Sequence, residues 1–246
     1  MTTRHFEKTK RLVRGMRTVV QQDWFGRDSW RFLLPAIVLT ALQLLYFPLN
    51  MVADGNRSLS IAVIDDSIPR VSLFVVPYIV GIVYLSTANF FAAGLLARKH
   101  YQQHVFAFLT AMLIGFGFWY FFPAYIEKDA FDPAKNNPFD QLLYLLHGGD
   151  SAYGQHNSFP SSHVYYVTVG LVYLMKTYPQ YRNFFIFSIV VNAASTLFTH
   201  QHYVIDVAAG FGLAAFAVWL SDTYLTPSYR RWEADANIMP PQTEST

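Results

Sequence analysis

The chain has 246 residues, of which 53% are hydrophobic, 17% aromatic and only 14% charged, and its formal net charge is +2. Ordinary soluble domains carry about 25% charged residues, so the deficit argues for one polytopic membrane domain and against a large soluble core. The small net charge gives no ground for nucleic acid binding, and the absence of cysteine excludes both a disulfide framework and a thiolate metal site.

Residues 1–31 form a basic arm carrying Arg4, Lys8, Lys10, Arg11, Arg14, Arg17, Arg27 and Arg31. It is too charged for a cleavable signal peptide and lacks an apolar centre. Leu12, Met16, Val19, Val20 and Trp24 fall at helical spacing among the basic residues. This predicts an amphipathic helix, either interfacial on an anionic leaflet or docked on the bundle.

Residues 32–225 hold six apolar segments, near Phe32–Val52, Val71–Leu96, Val105–Phe122, His163–Tyr178, Phe184–Thr199 and Ile205–Leu225. The expected fold is therefore all-α, a polytopic bundle of about six transmembrane helices. The fourth and fifth segments fall short of the ~20 residues a span needs, so their ends are expected to extend. With six spans, the basic arm, Arg98, Lys99, Lys176, Arg182, Arg230 and Arg231 share one side. The positive-inside rule makes that side cytoplasmic, together with both termini. The opposite side receives Asp54–Arg70, the long Ala124–Ser162 segment and the tight turn before the last span. Within Ala124–Ser162, Phe139–Leu146 reads as a short helix lying on the membrane, and Gly148-Gly149 as turn chemistry. The tail, residues 226–246, reads as largely disordered.

Two stretches carry chemistry. Ser158-Phe159-Pro160-Ser161-Ser162-His163 opens the fourth span, and Ser195–Asp206 closes the fifth and opens the sixth. Pro160 suits a helix start, and Ser161 or Ser162 can cap it. A helix N-terminus offers N–H groups and a positive dipole end to a phosphate. The serine hydroxyls add donors, and His163 lies close enough to protonate a leaving oxygen. His202 and Asp206, spaced i,i+4, are neighbours on a helix. There the carboxylate holds the imidazole in one tautomer and stabilises its charged form. An aspartate inside an apolar span marks a functional site. These are the parts needed to break a phosphoester through a phosphohistidine. No third or fourth ligand has metal-site spacing with His200 and His202, so neither a metal nor another cofactor is expected.

These residues resemble the type 2 phosphatidic acid phosphatase superfamily, whose second motif reads Pro-Ser-Gly-His and whose third reads Ser-Arg, five residues, His, three residues, Asp. Here Pro160-Ser161-Ser162-His163 stands for the former, and Ser195, His202 and Asp206 match the latter, with Thr196 in the arginine position. The first motif, a lysine followed by Arg-Pro, is absent. Phe159-Pro160-Ser161-Ser162-His163 and His202-Tyr203-Val204-Ile205-Asp206 look closer to the branch of inositol phosphorylceramide and sphingomyelin synthases. Trp119-Tyr120-Phe121-Phe122-Pro123 sits where that branch carries another aromatic-proline stretch. The resemblance implies His202 as nucleophile, Asp206 as its orienter and His163 as proton donor and acceptor. It also implies phosphate binding by Ser161, Ser162 and Ser195.

With three phosphate-gripping cations missing, a diester suits the site better than a doubly charged monoester. Lys128, His156, Asn157 and His200 are the candidate replacements. The expected function is transfer of an inositol phosphate-like head group from a phospholipid to a lipid alcohol. The alternatives are a lipid phosphatase or pyrophosphatase using water, and a transporter or inactive scaffold. The last lacks the inverted repeats and broken central helices expected of a transporter.

Overall fold

The computed structural model describes residues 30–52, 57–127, 137–153 and 156–238. In chain order these form α1 (Trp30–Gln43), α2 (Tyr46–Val52), β1 (Arg57–Ser58), α3 (Ala62–Asp65), a 3-10 turn at Ser72–Phe74 running into α4 (Val75–Leu95), α5 (Arg98–Phe121), β2 (Ala124–Tyr125), α6 (Pro138–Tyr153), α7 (Ser162–Thr177), α8 (Arg182–Phe198) and α9 (Val204–Ile238). The all-α expectation is met, with the two-residue strands as the only ladder among the described residues. Residues 1–29 of the basic arm, and Lys128, lie outside the described residues.

Four stretches are long and apolar enough to cross a membrane: Leu33–Val52, Ser72–Leu95, Lys99–Phe121 and Val204–Leu225. Large apolar side chains on the bundle surface, among them Ile37, Val80, Leu113, Phe187 and Trp219, are exposed. A helical backbone satisfies its own polar groups, so such surfaces are stable in lipid and costly in water. The chain is a multi-pass membrane protein.

Against the six expected spans, α7 and α8 have 16 and 17 residues, fewer than the ~20 that cross a hydrocarbon core. For α7 the packing gives the reason. It is enclosed by α4, α5, α8 and α9, so protein rather than lipid solvates it. Its Tyr165, Tyr166 and Tyr173 lie in the core.

Other boundaries also differ from the sequence reading. Helix α5 begins at Arg98 rather than Val105. Two polar residues of its first turns, Gln103 and His104, are buried glue between helices. His104 Nε2 lies 3.2 Å from Asn89 Oδ1, whose amide nitrogen donates to Gln43 Oε1 at 3.2 Å, and Ser221 donates to the Gln103 carbonyl at 2.8 Å. Helix α6 runs on through Gly148 and Gly149 to Tyr153, past the short helix expected. Helix α9 continues to Ile238, into the segment read as a disordered tail.

One end of the bundle is stitched by backbone. Arg57 pairs with Ala124 and Ser58 with Tyr125 in parallel register, and Ala124 bridges to Asn157. The amide and hydroxyl of Ser158 both donate to the Ala124 carbonyl, at 3.1 and 2.8 Å. These bonds bring the segment before α7 against the end of α5.

Helices α7 and α9 meet at that same end. The Ser161 N–H donates to the Asp206 carbonyl at 3.1 Å. One turn further along α9, a Cβ at Gly210 would lie 2.9 Å from the Ser161 carbonyl oxygen and 3.0 Å from Val164 Cβ. Because backbone blocks it, Gly210→Ala is expected to destabilise the protein by about 1–3 kcal/mol, the usual cost of overpacking. Gly212→Ala, whose Cβ would meet nothing within 4 Å, is the control. Thermal unfolding of both variants in detergent checks this; equal melting temperatures would contradict the close-approach argument.

Candidate active site

The short connection after α8 reverses the chain into α9 and carries His202. The Thr196 carbonyl accepts both the Gln201 and His202 N–H groups, at 2.9 and 3.1 Å. The turn needs a left-handed residue, and His200 takes that role at φ 51°. His147 on α6 braces it, with Nε2 3.0 Å from the Thr199 carbonyl.

Sequence spacing places His202 and Asp206 on one helix, but α9 begins at Val204. His202 therefore lies before the helix, and the pair forms across its first turn. Asp206 Oδ2 accepts the Tyr203 N–H at 3.0 Å, as an acidic residue at the third helical position does in a capping box. The same oxygen lies 3.4 Å from His202 Nδ1. His202 and Asp206 are both buried. The carboxylate selects the tautomer with the proton on Nδ1, leaving the lone pair on Nε2.

That lone pair faces the second motif. His202 Nε2 is 3.4 Å from His163 Nδ1, and the rings meet edge to face with centroids 5.6 Å apart. Both contacts have the loose spacing usual for catalytic groups before substrate draws them together. His163 is the second residue of α7. Two neighbours set its position. Tyr78 on α4 stacks on its ring, centroids 4.7 Å apart and planes 27° apart, and Asn192 on α8 donates to its carbonyl at 2.9 Å. Neither Tyr78 nor Asn192 stands out in the sequence, because each lies in another apolar run far along the chain.

Two cavities meet at His202. One, about 280 Å³, is mostly apolar; Leu44, Phe47, Ile82 and Leu85 line it together with Tyr78, Asn157, Ser162, His163 and His202. The other, about 320 Å³, is polar; Ser60, Asp65, Asp66, Glu127, His200 and Tyr203 line it, again with His202. Both sizes fall near the lower end of the roughly 300–1,000 Å³ usual for ligand pockets.

The candidate residues thus separate. His163, His202 and Asp206 come together, and Ser162 and Asn157 share their apolar cavity. Asn157 donates to the Tyr46 carbonyl at 3.0 Å, while its buried Oδ1 has no partner among the described residues. Ser161 stands at the N-cap of α7 without a side-chain cap bond, its buried hydroxyl unpartnered among the described residues. Pro160 precedes the cap instead of starting the helix, and the Phe159–Pro160 bond is cis. His200 lines the polar cavity, with Nε2 3.1 Å from the Ile68 carbonyl. Ser195 lines neither cavity, because its hydroxyl donates within α8 to the Asn192 carbonyl at 2.6 Å. His156 also lines neither; its N–H donates to Asn50 Oδ1 at 2.8 Å.

A histidine with an oriented lone pair, a second histidine beside it and an apolar cavity at both is the arrangement that the motifs imply. Residues 129–230 match the PAP2 superfamily. That segment holds both motif stretches, so the resemblance read from them is met. Over 145 residues the chain is 31% identical to a protein of Bacteroides thetaiotaomicron named phosphoinositol dihydroceramide synthase, an alignment covering 52% of this chain and 47% of that relative. The chain spans about half the length of the curated relative it matches. No solved structure matches.

Sequence reasoning also missed Asp65. Its Oδ2 accepts the Ile61 N–H at 2.6 Å and its Oδ1 the Val204 N–H at 2.9 Å, tying the loop after β1 to the first residue of α9. Asp65→Ala removes a helix-terminal acceptor and is expected to cost about 1–2 kcal/mol of stability. Chemical unfolding in detergent against the wild type measures it; an unchanged midpoint would dismiss the tie.

Proposed function

We propose that this protein is an integral-membrane phosphotransferase that moves a phospho-head group, inositol phosphate-like, from a phospholipid to a lipid alcohol through a phosphohistidine on His202, without a metal. The observation that carries the reading is the place of His202: it lies in the wall shared by an apolar and a polar cavity, with Asp206 at one ring nitrogen and His163 at the other. A phospholipid has the same division, acyl chains on one side of phosphorus and a polar group on the other.

In the first step His202 Nε2 attacks phosphorus. The bond from phosphorus to the diacylglycerol oxygen breaks, and His163 gives that oxygen a proton. In the second step His163 takes the proton of the acceptor hydroxyl, whose oxygen attacks phosphorus. The phosphorus–nitrogen bond breaks, and His202 is restored.

Charge favours a diester. A phosphate monoester carries roughly 1.5–2 negative charges at neutral pH, and neither cavity is lined by Lys or Arg among the described residues. The reactive end faces the outer side (periplasmic, extracellular or lumenal) and both termini are cytoplasmic. The positive-inside rule supports this, since Arg98 begins α5 and Lys176 ends α7 at the end of the bundle away from His163. Hydrolysis by a lipid phosphatase or pyrophosphatase is the second reading, favoured by the polar cavity that also reaches His202.

Incubation with a phospholipid labelled at phosphorus is expected to leave acid-labile label on His202. Adding a lipid alcohol is expected to move that label into a new lipid. His163→Ala should slow transfer by about 100- to 10,000-fold, as loss of a general acid does. Full transfer by His202→Ala would refute the nucleophile, and label appearing only in water-soluble phosphate would favour hydrolysis.

Tyr78 is a positioning residue in this scheme. Tyr78→Leu is expected to lower kcat by up to about tenfold with KM little changed, given roughly 0.5–1.5 kcal/mol for an aromatic pair. Tyr78→Phe, which keeps the stack, should restore most of the rate. Equal loss in both variants would assign the effect to the hydroxyl instead.

A further inference from the structure

Helix α6 lies across the end of the bundle that carries the site. It packs on the 3-10 turn Ser72–Phe74, on α4 and on α2. Ser72 is also the first residue of a stretch long and apolar enough to cross a membrane, so α6 sits where that span leaves the hydrocarbon. At 3.6 residues per turn its side chains divide into faces. Leu143 and His147, one turn apart, are buried against the bundle. Phe139, Leu142 and Leu145, with Leu146 half-buried beside them, form an exposed apolar stripe without charge. Gln141 and Gly148 are exposed on a third face.

The buried face of α6 reaches the turn that carries His202. His147 Nε2 lies 3.0 Å from the Thr199 carbonyl; a carbonyl only accepts, so the imidazole donates from Nε2. That carbonyl stands just past the end of α8, where carbonyls lack helical partners. His200 follows in its left-handed conformation, and His202 two residues later. Directly after His147 come Gly148 and Gly149. A Cβ at either would meet nothing within 4 Å, so neither glycine makes room for a neighbour. Both weaken the helix at the point where it presents His147, because glycine is the poorest helix former after proline. A helix of 16 residues is marginal on its own, so contact along its faces keeps it formed.

We propose that the stripe of Phe139, Leu142, Leu145 and Leu146 seats α6 in the lipid leaflet at the reactive end, and that this seat holds the His202 turn in place through His147. The effect on rate rests on the phosphotransferase reading; the lipid seat rests on the fold. The stripe continues a surface already turned to lipid: α4 and α2, on which α6 packs, expose Val76, Val80, Phe47 and Met51. A helix at that boundary with one uncharged apolar face sinks to the edge of the acyl chains. The leaflet surrounds the neighbouring spans, so it covers the stripe without a further partner. When that contact is lost, α6 frays at Gly148-Gly149, His147 releases the Thr199 carbonyl, and His202 loses its place beside His163. His147 is then a positioning residue, acting through the turn rather than on substrate.

The test uses the full-length protein in phospholipid nanodiscs. The chain has no cysteine, so Leu142→Cys and Gln141→Cys each take a single spin label, at sites about 100° apart round the helix. Collisions with oxygen report lipid, and collisions with a water-soluble nickel chelate report water. The Leu142 label is expected to collide mainly with oxygen and the Gln141 label mainly with nickel. Mainly nickel collisions at Leu142 would overturn the seat, and shielding from both would overturn it in favour of a second copy. The coupling is read by hydrogen exchange of residues 196–203 and by kcat for transfer. A Leu142→Glu, Leu145→Glu double variant is expected to speed exchange of that turn and lower kcat, each by about tenfold, with KM little changed. Adding Gly148→Ala and Gly149→Ala, which strengthen the helix, should recover most of both. His147→Ala should reproduce the loss, and His147→Gln, whose amide nitrogen donates at a similar reach, should restore it. Equal melting temperatures show that the variants fold. Unchanged exchange in the double-glutamate and His147→Ala variants would overturn the coupling. Label collisions and exchange need no turnover, so wild-type protein that behaves as expected in both yet transfers nothing would strike the phosphotransferase reading alone.

Discussion

The bond from the Ser161 N–H to the Asp206 carbonyl organises this molecule. It joins the first turn of α7 to the first turn of α9, two segments far apart in sequence. Asp206 thereby makes three contacts through two groups. Its carbonyl holds the α7 cap, one side-chain oxygen caps α9 at Tyr203, and that same oxygen lies at His202 Nδ1. A buried carboxylate is costly unless its lone pairs are used. Here Oδ2 is used twice, at Tyr203 and at His202, while Oδ1 is buried without a partner among the described residues. The absence of a side chain at Gly210 lets the helices approach closely enough for the bond to form.

That geometry also explains why a short, polar α7 can sit at the centre of a membrane bundle. Its neighbours shield it from lipid, so Ser162 and His163 at its start and Tyr165, Tyr166 and Tyr173 along it meet protein. The long apolar helices α4, α5 and α9 take the lipid-facing role. Contacts of Asn89 with Gln43 and His104 join α4 to α1 and α5, and Ser221 joins α9 to α5, where hydrophobic burial alone contributes little, since lipid tails are as apolar as leucine. The division of labour places Ser162 and His163 at the start of a helix that does not have to dissolve in lipid.

Local pattern and motif made the cluster of two histidines and an aspartate legible in the sequence. His163, His202 and Asp206 follow from two short stretches and the charge bias of the loops. Groups that support them through long-range contacts were not legible. Tyr78 and Asn192 read as ordinary residues of apolar runs, and Asp65 as part of a loop. Boundaries failed for related reasons. The polar start of α5 reads as a connector, yet the Gln103 carbonyl and His104 Nε2 meet partners on other helices. Gly148-Gly149 reads as a turn, but helix α6 continues through it. Ser195, carried over from a motif, turned inward to its own helix, and the motif's spacing alone gives no sign of that.

The missing cations then have a physical consequence for how phosphate is held. Where the family pattern has arginine, Thr196 donates its hydroxyl to the Ala193 carbonyl at 2.8 Å and offers its own carbonyl to the His202 turn. It shapes the backbone at His202 and adds no positive charge. An anion at His202 must then be stabilised by dipoles: the N-terminus of α7, the serine hydroxyls at its start and the imidazole of His163. Dipoles hold one negative charge better than two, because their stabilisation grows with the ligand's charge more weakly than its loss of hydration does. Threonine in place of arginine therefore weakens the hold on a doubly charged monoester more than on a singly charged diester.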